Sequence, residues 1–120
     1  MIAALAGAFL SPPASAQPDR FGQQIQELAE ILGRVHYMRN LCVGNEDMVW
    51  RDAMMELLRL EEPSRAERKE MTRRFNEGYH AARDRFPECD AKARHEMKRL
   101  SSDGARLSSR LARKLKPKGR

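Results

Sequence analysis

No apolar stretch in this 120-residue sequence approaches the roughly 20 residues needed to cross a bilayer. Aromatic residues make up only 6%, and no run alternates apolar and polar residues as a half-buried strand does, which argues against a β-sandwich. The two cysteines lack the Cys-x-x-Cys spacing of a redox pair and the Cys-x-x-Cys-His of covalent haem attachment. There is no nucleotide-binding glycine loop, no catalytic motif and no cluster with metal-ligand spacing. No two titratable groups are placed by the sequence for acid-base or nucleophilic work, so the chain reads as a non-enzyme without cofactor or metal. What is present is 41% apolar and 33% charged residues, with 23 Lys and Arg against 17 Asp and Glu, a net charge of +6. That balance suits one small, well-solvated helical domain.

Residues 2–10 (IAALAGAFL) are unbroken apolar and small residues, followed by Ser11, Pro12 and Pro13 and then Ala14-Ser15-Ala16. An apolar core, a helix breaker and a small-x-small site together predict a signal peptide over residues 1–16, with cleavage after Ala16 and a mature chain starting at Gln17. No Lys or Arg precedes the apolar run, which is expected of a start codon placed too late.

Four helices follow from the 3.6-residue beat. The first, capped by Asp19, carries Phe21, Ile25, Leu28, Leu32, Val35 and Cys42 on one stripe. Gly44-Asn45 then punctuates the chain, and Asn45 can cap a second helix with Trp50, Ala53, Met54, Leu57 and Leu58, ended by Glu61-Glu62-Pro63. Ser64-Arg65-Ala66-Glu67 is a capping box for a third, whose stripe is Met71, Phe75, Gly78 and Ala82. Pro87 disfavours helical geometry at Phe86, so the chain turns and restarts near Cys89 or Asp90. Ala93, Met97, Leu100, Gly104, Leu107 and Leu111 keep phase through Ser101-Ser102-Asp103-Gly104 and predict one long fourth helix. Gly78 and Gly104 leave room for a neighbour to approach closely. Short connections make consecutive helices antiparallel neighbours, hence an all-α bundle of about four helices at residues 17–109 and a basic tail at 110–120.

Two cysteines in an exported chain predict one disulfide. An up-down-up-down order brings Cys42, at the end of the first helix, to the same end of the bundle as Cys89, at the start of the fourth. Closing that loop stabilises the fold by about 4 kcal/mol on the chain-entropy model.

His36, His80 and His95 each sit six residues from a helix terminus at the cysteine end, so all three fall near one level of the bundle. Helical angles separate them: His80 and His95 lie roughly 180° and 190° from the core stripes of their helices and face solvent. His36 flanks a core stripe as a hydrogen-bonded structural residue. The methionines of the mature chain, Met38, Met48, Met54, Met55, Met71 and Met97, read first as core filling and second as an adaptable groove for unfolded clients or a partner helix. Trp50 reads as core.

Charge is uneven. Residues 17–62 hold 5 basic and 9 acidic side chains, whereas residues 63–120 hold 18 and 8. The final segment contains Arg110, Arg113, Lys114, Lys116, Lys118 and Arg120 and no acid. One reading is a solvated helix end with cations favourably placed at its dipole. The other is an anion-seeking tail that meets phospholipid head groups, lipopolysaccharide phosphates or acidic proteins if exported, and nucleic acid if not.

The stretch from Leu28 to Cys42 (LAEILGRVHYMRNLC), with Trp50-Arg51, Phe75-Asn76-Glu77-Gly78-Tyr79, Cys89 and Gly104-Ala105-Arg106-Leu107, resembles an uncharacterised family of secreted alphaproteobacterial proteins with two well-separated cysteines. The resemblance spans about Leu28 to Leu111. It implies a signal peptide and a disulfide through Cys42 and Cys89, and no established activity. The expectation is therefore a small periplasmic helical protein with a non-catalytic binding or structural role, its partner an envelope protein or an anionic envelope surface. A periplasmic chaperone or stress adaptor is the alternative, and a cytosolic nucleic-acid-binding protein is a third if no signal peptide operates.

Overall fold

The punctuation in the sequence sets most of the helix ends in a computed structural model. The structure describes Gly7 and residues 20–44 and 48–115. The expected signal-peptide cleavage site, Asp19 and Asn45 lie outside the described residues. Four helices are formed, α1 (Arg20–Cys42), α2 (Val49–Glu61), α3 (Arg65–Arg85) and α4 (Ala91–Leu115), with no strand among the described residues.

The capping box forms as expected. The Glu67 backbone N–H donates to Ser64 Oγ at 3.1 Å, and the Ser64 N–H donates to Glu67 Oε1 at 3.4 Å. Helix α3 stops at Arg85 ahead of Pro87, and Asp90 restarts the chain by accepting the Ala93 N–H on Oδ1 at 2.8 Å. Helix α4 runs unbroken through Gly104. The start of α2 differs from expectation: its N-cap position is Met48, three residues beyond Asn45, and makes no side-chain capping bond. At the other end Glu62 adopts a left-handed conformation (φ 43°, ψ 52°), which turns the chain into Pro63.

Consecutive helices run antiparallel, but α1 is the axis of the bundle. It packs most extensively on α3, the parallel partner two helices away, then on α4, then on α2. The reason is a pair of reciprocal glycines. A Cβ on Gly33 would lie 1.9 Å from the Phe75 carbonyl oxygen, and one on Gly78 would lie 2.2 Å from the Glu30 carbonyl oxygen. Only hydrogen fits at either position, so the two backbones cross in contact. Glu30 reinforces the crossing by accepting Arg34 on Oε1 at 2.9 Å and Arg74 of α3 on Oε2 at 2.8 Å. Gly104 is different. It admits side chains, with Ile31 Cγ2 and Trp50 Cζ3 at 3.2 and 3.4 Å from where its Cβ would be.

Because α1 is surrounded, its buried arc is wider than one stripe. Ala29, Gly33, Tyr37 and Met38 are buried beside the expected Ile25, Leu28, Leu32 and Val35. The core divides in two. At the end formed by the α2–α3 turn, Leu28, Leu32, Met54, Met71, Leu107 and Leu111 pack together. At the cysteine end the core is Val35, Tyr37, Met38, Ala82, Phe86, Ala93 and Leu100. Ile31 and Trp50 pack against both clusters and join them.

Candidate functional site

At the cysteine end, Cys42 and Cys89 are bonded, with Sγ atoms 2.03 Å apart and Cα atoms 5.2 Å apart. The helix order does bring the two together. Beside them the Tyr37 hydroxyl donates to the Phe86 carbonyl oxygen, satisfying an acceptor that the end of α3 would otherwise leave open. Burial, with lesser help from Tyr79, pushes the Tyr37 hydroxyl above its ordinary pKa. Tyr37 meets Tyr79 edge-on at 5.4 Å, and Arg85 lies over the Phe86 ring at 5.1 Å. The polar groups here are engaged in holding the fold.

His36 packs 5.9 Å from the rings of both Phe75 and Tyr79, and its Nε2 lies 3.3 Å from Asn40 Nδ2. His80 and His95 are exposed on α3 and α4. The structure therefore scatters the three histidines. Met38, Met54 and Met71 are buried in the core, Met48 and Met97 are partly buried, and Met55 is 57% exposed. Trp50 is partly buried and bridges the two clusters.

The basic segment begins inside a helix. Arg110 and Arg113 are exposed on α4, while Leu111 between them is 2% exposed and belongs to the core. The side chain of Lys114 and all of Lys116, Lys118 and Arg120 lie outside the described residues.

The opposite end holds a cleft of about 640 Å³ where α1, the end of α2 and the start of α3 meet. Ile25, Met71, Pro63 and Ala66 supply apolar walls; Gln26, Glu61, Glu67, Glu70 and Arg74 supply polar ones. Three of these lining residues each have a polar atom, Gln26 Oε1, Glu61 Oε1 and Arg74 Nε, that is buried without a hydrogen-bond partner. Burial pushes the Glu61 carboxyl above the usual carboxylate range, and the charge of Glu67 adds to the effect. Buried polar groups are normally paired, so three unpaired atoms in one cleft are the most unusual chemistry in the described residues. Sequence reasoning missed this site. Its polar groups come from three different helices, and in one dimension each looks like part of a solvated helix face.

Fold and crosslink together define a small all-α domain, a disulfide-bonded bundle built around its first helix. Residues 20–115 match the family model described as "Protein of unknown function (DUF2385)", and the chain belongs to that family. No curated protein and no solved structure matches it.

Proposed function

We propose that this is a small periplasmic, disulfide-linked helical protein with a non-catalytic binding role at the cell envelope. The observation that carries the reading is the Cys42–Cys89 bond across the end of the bundle. Such crosslinks persist in oxidising compartments and are rare in the cytosol. The apolar run at residues 2–10 and the Ala14-Ser15-Ala16 site supply the corresponding route of export. The cysteine end is closed by the disulfide and by the Tyr37 hydroxyl on the Phe86 carbonyl oxygen, as a scaffold requires, and the cleft at the other end is available for binding.

Cell fractionation combined with thiol labelling tests this reading. Expected is a shortened chain in the periplasmic fraction that accepts label only after reduction. Protein recovered in the cytosol with two free thiols removes it. Exposed Arg110 and Arg113 support an anionic envelope surface as one partner. Replacing Arg110, Arg113, Lys114, Lys116, Lys118 and Arg120 by Gln is the suitable test, because truncation at 110 would also remove the buried Leu111. Binding to anionic vesicles should fall with the substitutions and with added salt.

Met38, Met54 and Met71 are buried in the core, with Met71 also lining the cleft, so the methionines that motivate the chaperone alternative serve mainly as core filling.

A further inference from the structure

We infer that the cleft between α1, the end of α2 and the start of α3 is a binding site for a small organic cation that joins an ammonium group to an apolar arm. This names a ligand class for the binding role proposed above, and it is testable on the purified chain wherever the chain resides in the cell.

The charge of the cleft favours a cation. Three glutamates line the cleft, Glu61, Glu67 and Glu70, against one cation, Arg74. That arginine is already paired with Glu30 at 2.8 Å. Glu67 is held by the Ser64 N–H at 3.4 Å, and Glu70 accepts Arg73 Nε on Oε2 at 2.9 Å. Glu61 is the carboxylate left with a buried oxygen and no donor.

Hydrogen bonding favours an ammonium head group. Gln26 and Glu61 come from different helices, line the same cleft and each hold an unpartnered acceptor, Oε1, at its wall. An ammonium carries three donors and no acceptor, so its hydrogen-bonding complement matches two unpartnered oxygens. A carboxylate ligand would bring further acceptors toward three glutamates. The unpaired Arg74 Nε is the one donor of the set, and a water or a hydroxyl on the ligand would complete it.

The shape of the cleft favours an apolar arm. Ile25, Pro63, Ala66 and Met71 form an apolar wall beside the polar atoms, so an arm attached to the head group would be taken out of water. A cation without such an arm would gain only the charge term, which salt screens. The energetics of Glu61 agree. Burial opposes its ionisation, and an ammonium placed against it restores the charged form, so the ligand relieves a cost that the free protein carries.

The test is a titration of the oxidised, ¹⁵N-labelled chain followed by amide chemical shifts, with four probes: octylammonium, octanoate, 1-octanol and spermidine. Octylammonium is expected to give saturable shifts at Gly22, Gln26, Ala66 and Met71, with each other probe at least tenfold weaker. Glu61→Gln should weaken octylammonium at least tenfold while keeping the native amide pattern. Glu62→Gln, one residue along and exposed, should leave the affinity unchanged. Octanoate or octanol binding as tightly as octylammonium, spermidine matching it, shifts centred elsewhere, no saturation, or a Glu61→Gln variant with full affinity would each overturn the assignment. Loss of periplasmic localisation with intact octylammonium binding would defeat the export reading and leave this one standing.

Discussion

At the cysteine end, α1 and the turn between α3 and α4 are joined by a covalent bond, by the Tyr37 hydroxyl on the Phe86 carbonyl oxygen and by an edge-on pair of tyrosines. At the other end, α1, α2 and α3 meet with no crosslink, around a cleft whose walls keep three polar atoms unpaired. Between them the Gly33–Gly78 crossing clamps α1 to α3 by backbone contact. The contrast separates two tasks. The covalent bond closes one end, and the buried unpaired atoms of Gln26, Glu61 and Arg74 lie at the other. Binding sites commonly take this form, an open and locally costly region carried on a rigid frame.

Removing the covalent bond should have the largest effect. Replacing Cys42 and Cys89 together by Ala releases a loop of 47 residues, for which the chain-entropy model gives about 4 kcal/mol. At about 4–8 °C per kcal/mol for a domain of this size, the melting temperature should fall by roughly 15–30 °C. Thermal unfolding followed by circular dichroism measures this. A loss of only a few degrees would mean that packing alone closes this end, and the contrast between the two ends would lose its main support.

The glycine crossing comes next. Gly33→Ala and Gly78→Ala each place a methyl against backbone, which cannot rotate away, so each should cost about 2–3 kcal/mol despite the better helix propensity of Ala. Gly104→Ala meets only the side chains of Ile31 and Trp50, which can shift, and should stay within about 1 kcal/mol of the parent. Urea unfolding of the three variants decides the matter; equal losses at Gly33 and Gly104 would show that the crossing is not special.

Tyr37→Phe should cost about 1–2 kcal/mol by leaving the Phe86 carbonyl oxygen unpaired. It also carries a pH signature. Because burial raises the Tyr37 pKa in the folded chain, the unfolded chain releases that proton first as pH rises. The hydroxyl therefore contributes fully below its ordinary value of 10.0, and the contribution is lost as pH climbs through the folded value. Alkaline unfolding should be less steep in Tyr37→Phe than in the parent, and identical slopes would contradict the assignment.

Legibility in the sequence followed the same division. Periodic stripes, the Ser64–Glu67 box and the Pro87 turn are each written in one helix or one connection, the cysteine pairing follows from the count of two and the helix order, and the structure contains all of them. The wider burial of α1 was less visible, because a helix with neighbours on three sides does not show a single polar face. Its signal was the row Ala29, Gly33, Tyr37 at steps of four, in which the small residues mark the side that meets α3. The start of α2 at Val49 was misplaced because Asn45 is a good cap by type, whereas the helix begins after Met48 without a side-chain cap. Nothing local marked the cleft, since Gln26, Glu61 and Arg74 become neighbours only when three helices assemble.

The smallest expected effect lies at the open end and has the opposite sign. Glu61 has a raised pKa in the folded chain, so below the ordinary carboxylate value of 4.5 it is protonated in both states and its charge costs nothing. As pH rises through the folded value, the unfolded chain ionises more readily and the folded state loses relative stability. Gln carries no such charge, so Glu61→Gln should match the parent near pH 4 and exceed it at pH 7, by less than about 1 kcal/mol. Denaturant unfolding at the two pH values checks both the sign and the window. Octylammonium should narrow the gap at pH 7 by stabilising the parent more than the variant, because the ligand supplies the positive charge that the folded protein leaves out. A variant less stable than the parent at pH 7 would mean that Glu61 already holds a partner in solution, and the two ends of the bundle would then be equally satisfied.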